Sequence, residues 1–181
     1  MSRVGNKSVI VPSGVQFVHT SGVVKVAGPK GNLTLTVPEL VKVNVEPGVV
    51  SVSVQKSDRN SKAMHGLYRS LLQNAVTGVS VGFEKKLELS GVGYQCTVKS
   101  GVVELSVGFS KPVLLPIPKD ITCLATDNTH LVVTGVDRQA VGQFAAQLRG
   151  SRVPDPYKAK GVKYQGEVIK RKAGKAFGSG G

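Results

Sequence analysis

The sequence predicts an α+β protein of two tandem duplicated domains, each a small, mostly antiparallel sheet packed against one helix, plus a basic C-terminal tail. Three observations predict it. Short Val-rich runs alternate with Gly, Pro and Asn turn signals, as half-buried strands do. The apolar period switches once in each half from that of a strand to that of a helix. The two halves then match at a shift of 80 residues, too long for a solenoid repeat and suited to a duplicated small domain.

Strands are expected at Val9–Val11, Gln16–Thr20, Val23–Ala27, Asn32–Val37, Val41–Val45 and Val49–Gln55. The last run alternates Val with Ser, so one face is apolar and the other hydroxylic. Pro47-Gly48 separates two such runs and reads as a tight hairpin turn. Met64, Leu67, Tyr68, Leu71, Leu72 and Ala75 then fall on one face of an amphipathic helix, with His65 beside it. Asp58, Asn60 or Ser61 can cap its start, and Gly78 can end it.

The second half repeats this plan. At a shift of 80, Val37-Pro38 falls on Ile117-Pro118, and Val41, Val43 and Val45 fall on Ile121, Cys123 and Ala125. At a shift of 79, Val52 and Val54 fall on Leu131 and Val133, and Asp58-Arg59 on Asp137-Arg138. Ala140, Val141, Phe144, Ala145 and Leu148 form the second helical pattern, followed by Gly150. The expected division is residues 1–81, residues 82–152 and a tail of residues 153–181.

Charge narrows the function. The 181 residues hold 24 Lys+Arg against 11 Asp+Glu, a formal net charge of +13. Such a surplus favours a polyanion as partner, with nucleic acid first. From Ser151 onward Arg152, Lys158, Lys160, Lys163, Lys170, Arg171, Lys172 and Lys175 face only Asp155 and Glu167, so the tail is far more basic than the body. With Gly and Ala between its lysines, the tail is expected to bury little of itself and to gain order from what it contacts. No apolar run approaches the length of about 18 residues that a membrane span needs. Met1–Lys7 lacks the apolar core of a secretory signal, and the two Cys form no paired motif. A cytoplasmic protein without membrane contact is expected.

Candidate chemistry is sparse. His19, His65 and His130 share no metal-ligand spacing, so no metal site is expected. Cys96 and Cys123 read as small core residues. Ser90-Gly91-Val92-Gly93-Tyr94 is half of a dinucleotide fingerprint without its helix, and Gly28-Pro29-Lys30-Gly31 reads as a hairpin turn that presents Lys30. Neither a catalytic residue, a cofactor nor a small-molecule substrate is expected; an enzyme would need the scattered His and Cys to converge.

The tail carries a sharper signal. In Val153–Tyr164 two prolines stiffen the start, Lys158, Lys160 and Lys163 line an expected extended backbone, and Tyr157 and Tyr164 offer stacking faces. Gly161 would let the backbone approach a ligand closely. Lys170, Arg171, Lys172 and Lys175 extend the positive track, and Arg152 precedes it. These residues point to RNA, or to nucleic acid in general.

The run Pro154-Asp155-Pro156-Tyr157-Lys158-Ala159-Lys160-Gly161-Val162 resembles the signature of the family of large-subunit ribosomal protein six, bacterial type. Met1–Gly5, Ile10–Val15, Val26–Gly31 and Leu89–Tyr94 are similar to that family as well. Where many members have Gly after the first Lys of the signature, this chain has Ala159, which adds only a methyl group. The resemblance implies two tandem α+β domains and a structural role in the large ribosomal subunit. It implies binding to large-subunit ribosomal RNA near the sarcin–ricin loop, with neighbouring ribosomal proteins near the stalk base and translational GTPases nearby. It places RNA contacts most firmly at Tyr157, Lys158, Lys160, Gly161 and Lys163. Arg3, Lys7 and Arg69 are added on charge and placement.

Overall fold

The computed structural model describes residues 2–55, 58–172 and 174. The described residues form two compact units. One comprises those up to Phe83 together with Gly135–Arg138; the other comprises Glu84–Thr134 and those from Gln139 onward.

In the first unit, β1 (Val9–Ile10), β6 (Val49–Val54) and β5 (Val41–Glu46) form one three-stranded sheet. A second sheet has the order β2 (Gln16–Thr20), β3 (Val23–Gly28), β4 (Gly31–Thr36). All their ladders are antiparallel. Alternation decides which face is buried: Val41, Val43, Val50 and Val52 enter the core, while Lys42 and Asn44 stay exposed. Pro47-Gly48 joins β5 to β6 as expected, with Glu46 opposite Val49 and Gly48 at φ +78°. That positive φ is what a type II turn demands at its second central residue.

Helix α1 (Arg59–Ser80) covers the apolar faces with Leu72, Ala75, Val76 and Val79. Asp58 occupies the N-cap position without a side-chain capping bond. Three details differ from the expected helix. Leu67 is exposed, whereas His65 is buried, its Nε2 lying 2.9 Å from the Val52 carbonyl oxygen. The imidazole sits over Gly5, where a Cβ would lie 2.5 Å from the ring. Gly78 does not end the helix: it lies inside the last turns, and the Val136 carbonyl occupies the space a side chain would need. The end of the helix is met from outside by the β3–β4 hairpin, where the Lys30 N–H donates to the Val79 carbonyl at 3.0 Å. That bond satisfies one of the carbonyls a helix leaves unpaired.

The second unit repeats the first. A three-stranded sheet has the order β10 (Val113–Pro116), β9 (Val102–Ser106), β8 (Gln95–Lys99). A four-stranded sheet has the order β11 (Ile121–Asp127), β12 (His130–Gly135), β7 (Phe83–Ser90), β13 (Gly161–Tyr164). Helix α2 (Arg138–Ser151) buries Val141, Phe144, Ala145 and Leu148. Equivalent bonds recur at equivalent places. Val37 N–H donates to Gly22 O at 2.7 Å and Ile117 N–H to Gly101 O at 2.8 Å; Val41 bonds Pro38 and Ile121 bonds Pro118 in the same way. Ser21-Gly22 and Ser100-Gly101 both take positive φ in two-residue hairpin turns.

The register of the repeat is corrected in one stretch. β6 and β12 share one burial pattern, so Val50 and Val52, not Val52 and Val54, correspond to Leu131 and Val133. The β11–β12 hairpin is one residue longer than the β5–β6 hairpin, and the link between β12 and α2 is two residues shorter than the link between β6 and α1. Cys96 and Cys123 are buried in this unit. Burial pushes both thiols up to about 11, helped by the charge of Asp127 at Cys96 and by Cys96 at Cys123. Neither is a ready nucleophile at neutral pH.

Gly78 yields a direct test. In an open helix, Gly→Ala stabilises by about 1 kcal/mol. Gly78→Ala is instead expected to lower the thermal midpoint, because the added methyl meets the Val136 carbonyl. A melt at or above the wild-type midpoint would contradict this packing.

Candidate nucleic-acid interface

The tail does not run free of the body. Strand β13 pairs antiparallel with β7, Gly161 opposite Ser90 and Tyr164 opposite Leu87. Val162 is fully buried, and Pro154 and Gly161 are buried with it. The expectation of a tail that buries little of itself is corrected here. Its average composition is polar, but one Val at the right position suffices to seat a strand against an unfilled sheet edge.

Residues 152–162 form a closed loop rather than an extended track of lysines. The Val162 N–H donates to Arg152 O at 2.8 Å, and the Asp155 N–H donates to Lys160 O at 3.0 Å. The Asp155 carbonyl accepts the Ala159 N–H at 2.8 Å, and its carboxylate accepts the Lys158 N–H at 3.1 Å. Asp155 therefore organises the loop, a role composition did not reveal. Gly161 does permit a close approach, but to the protein itself: a Cβ there would lie 2.6 Å from Pro154 Cα and 2.8 Å from Arg152 O. Ala159 has φ +58°, the left-handed region that Gly enters freely and Ala does not. Its extra methyl thus costs more than the sequence implied.

Beyond β13 the chain is latched. Arg149 on α2 makes two bonds to Glu167, Nε–Oε2 at 3.1 Å and Nη2–Oε1 at 2.6 Å. The same carboxylate accepts the Tyr164 N–H at 3.0 Å. The Arg149 hydrogen bonds, followed by the Tyr164 N–H, hold the Glu167 carboxyl below its ordinary value. Bonding to that carboxylate raises the Arg149 guanidinium in turn. The Tyr164 ring lies near both Lys85 and Arg149, 5.7 and 5.8 Å from its centroid. Past the latch the chain turns back, and the Lys172 N–H donates to Pro156 O at 3.0 Å.

The candidates therefore fall into groups. Arg152, Tyr157, Lys158, Lys160, Lys170, Arg171 and Lys172 are exposed, and the Lys172–Pro156 bond brings two basic segments side by side. Gly161, Lys163 and Tyr164 are engaged within the protein, Lys163 lying 3.2 Å from Glu88. Lys175 lies outside the described residues. In the first unit, Arg3 and Lys7 are exposed, while Arg69 donates to the Lys7 and Ser8 carbonyls at 3.0 and 3.2 Å and so braces the segment that carries them. Arg149, Glu167, Asp155 and Phe109, which contacts Arg152, were not singled out by sequence. Only Asp155 had a local signal, a carboxylate three residues before the N–H it bonds.

The other charged groups that the structure pairs lie apart from this loop. Glu84 pairs with Lys86 at 2.9 Å, and His130 lies 3.5 Å from Asp127. Among the described residues, no three His, Cys, Asp or Glu side chains gather to hold a metal ion. The described residues thus form a duplicated α+β scaffold whose second copy carries a closed loop with exposed cations, the class of surface that suits a polyanion.

Comparison with known proteins narrows the class. The family model described as Ribosomal protein L6 matches residues 11–82 and again residues 90–165, one match in each half. The chain is 47% identical over 178 residues to the large ribosomal subunit protein uL6 of Oleidesulfovibrio alaskensis, covering 98% of this chain and 99% of the relative. It is 48% identical over 176 residues to that of Maridesulfovibrio salexigens, covering 97% and 99%. It is 45% identical over 175 residues to that of Gloeothece citriformis, covering 97% and 98%. The chain belongs to the ribosomal protein L6 family. It is a structural component of the large ribosomal subunit, acting in translation, and not an enzyme.

Two outcomes test the geometry of the loop and latch. Ala159→Gly removes the left-handed strain and is expected to stabilise the protein by up to about 1 kcal/mol, read by chemical denaturation. The Arg149–Glu167 latch should be acid-labile. Because the Glu167 carboxyl is lowered in the folded state, its contribution is present above its unfolded value and is lost as pH falls through the lowered one. Glu167→Gln is expected to be less stable at neutral pH and to lose less on acidification. Parallel acid titrations of the two proteins would argue against the latch.

Proposed function

We propose that the chain binds large-subunit ribosomal RNA near the sarcin–ricin loop, and that the loop of residues 154–160 with Lys170–Lys172 is its main contact. In this reading residues 1–81 and 82–152 are the two copies of the scaffold, and residues 153–181 are the RNA-binding segment. Neighbouring ribosomal proteins lie near the stalk base, and translational GTPases land close by; both placements rest on the family resemblance.

The observation that carries the reading is the bond from the Lys172 N–H to Pro156 O. It brings the segment of Lys170, Arg171 and Lys172 alongside the loop of Tyr157, Lys158 and Lys160, so exposed cations of two segments share one region of the surface before any ligand arrives. Converging lysines displace the counterions condensed on closely packed phosphates, and Tyr157 adds a face on which a base or ribose can lie. A preformed site also avoids much of the ordering entropy that a free basic tail would lose on binding. Specificity comes from RNA shape, since lysines on a short loop cannot read the deep groove of an A-form helix.

The structure also selects the experiment. Truncation after Gly150 would remove β13 and expose the edge of β7, confusing folding with binding. The triple substitution Tyr157→Ala, Lys158→Ala and Lys160→Ala leaves β13 intact. It is expected to weaken binding to a ribosomal RNA fragment carrying the sarcin–ricin loop, and to reduce the salt dependence by about two units of slope. An unchanged slope would sink the proposed contact. Equal affinity of the wild-type protein for an arbitrary duplex would make it a general nucleic-acid binder instead.

A further inference from the structure

We propose that Phe109 and Arg152 form a stacking platform for an unpaired base of the bound RNA, extending the contact from the tail onto the β9–β10 hairpin. The inference rests on the RNA-binding reading above and adds Phe109, to which charge did not point.

The Arg152 guanidinium lies over the Phe109 ring, 5.0 Å from its centroid. Arg152 is nonetheless exposed, and Phe109 keeps 49% of its surface open. Both are held from behind. The Arg152 carbonyl is fixed by the Val162 N–H at 2.8 Å, so the guanidinium springs from the base of the closed loop. Phe109 follows Val107, which is buried, and Gly108, whose φ is +79° and whose α-carbon approaches Tyr94 so closely that a Cβ would lie 3.3 Å from the ring. Tyr94 belongs to the β7–β8 loop, where it also packs on Gly91, so its contact with Gly108 brings that loop to the same end of the unit.

The loops that carry these residues also expose apolar side chains. Val92 is 89% exposed, Val153 57% and Tyr157 55%. Charge complementarity selects the occupant. Neither Gly91–Tyr94 nor Val107–Pro112 contains an acid, Lys111 lies in the second of these loops, and Lys158 and Lys160 stand on the adjacent loop. Asp155, the acid of that loop, is turned onto the Lys158 N–H. A planar, apolar and cationic surface is what a splayed RNA base takes, stacked on a ring or on a guanidinium plane with its phosphates neutralised beside it. The repeat supplies a further argument. Val26–Leu33 and Leu105–Val113 are equivalent cross-strand pairs, and the second hairpin is one residue longer. In the first unit the corresponding turn bonds the end of α1 through Lys30; in the second it presents Phe109.

The test is ultraviolet cross-linking of the full chain to large-subunit ribosomal RNA, with chemical probing of the same complex. Phe109 is expected to cross-link to an unpaired nucleotide. Phe109→Leu is expected to bind about tenfold more weakly and to lose protection at that nucleotide alone, whereas Phe109→Tyr keeps both. An unchanged footprint and affinity for Phe109→Leu, with the Tyr157/Lys158/Lys160 variant weakened, would overturn the platform and leave the RNA-binding reading standing. Undiminished binding by both variants would instead remove that reading. Cross-linking of Phe109 only to another ribosomal protein in intact subunits would also overturn the platform.

Discussion

The basic end of the second unit depends on one constraint: the edge of β7 has to be filled. In the first unit, the equivalent position is held by β1, which spans only Val9–Ile10 and presents little unpaired backbone. β7 runs from Phe83 to Ser90, and its outer N–H and C=O groups need a partner. β13 supplies it and seats Val162 in the interior. Once Val162 is seated, its N–H pins Arg152, Gly161 is pressed against Pro154, and the chain between them closes into a loop. The cations of that loop are placed by apolar packing and backbone bonding, and not by their own charges, which repel one another.

The duplication explains why so much of the molecule is regular and where it is not. Each copy uses the same turn geometry before its third strand and the same paired bonds at Pro38 and Pro118. The copies part at the link into the helix, at the hairpin after β9 and at the added strand β13. Two of these three departures meet at the exposed end that carries Phe109, Arg152 and Tyr157. A repeat conserves what folding needs, so its local breaks are informative about what the second copy does differently.

Much of the fold was legible because Val alternates with polar residues and Gly or Pro marks each turn. The strands of the first half lie within a residue of where periodicity places them. The helix was legible as a period but not in phase: Leu67 and His65 differ by two positions, and hydrophobicity alone assigns the wrong one to the interior. His65 is buried because Gly5 leaves room for its ring and Val52 offers a carbonyl, both distant in sequence. The interface was legible as charge but not as shape. Averaging over Ser151–Gly181 concealed Val162, and the sign of φ at Ala159 cannot be read from a methyl group. Phe109 has no periodic neighbours, so only its position over Arg152 distinguishes it from an ordinary hairpin residue.

The left-handed turn at Ala159 also limits how the chain can change. The bonds of Asp155 to residues 158, 159 and 160 determine that conformation, whatever side chain occupies the position. β-Branched and bulky residues are therefore barred from it, and Gly, Asn and Asp are the ones the backbone welcomes. Asp would set a carboxylate between Lys158 and Lys160 and cancel part of the field those lysines create. Position 159 is thus filtered twice, once by torsion and once by charge, and the alphabet open to drift there shrinks to a few small, uncharged residues.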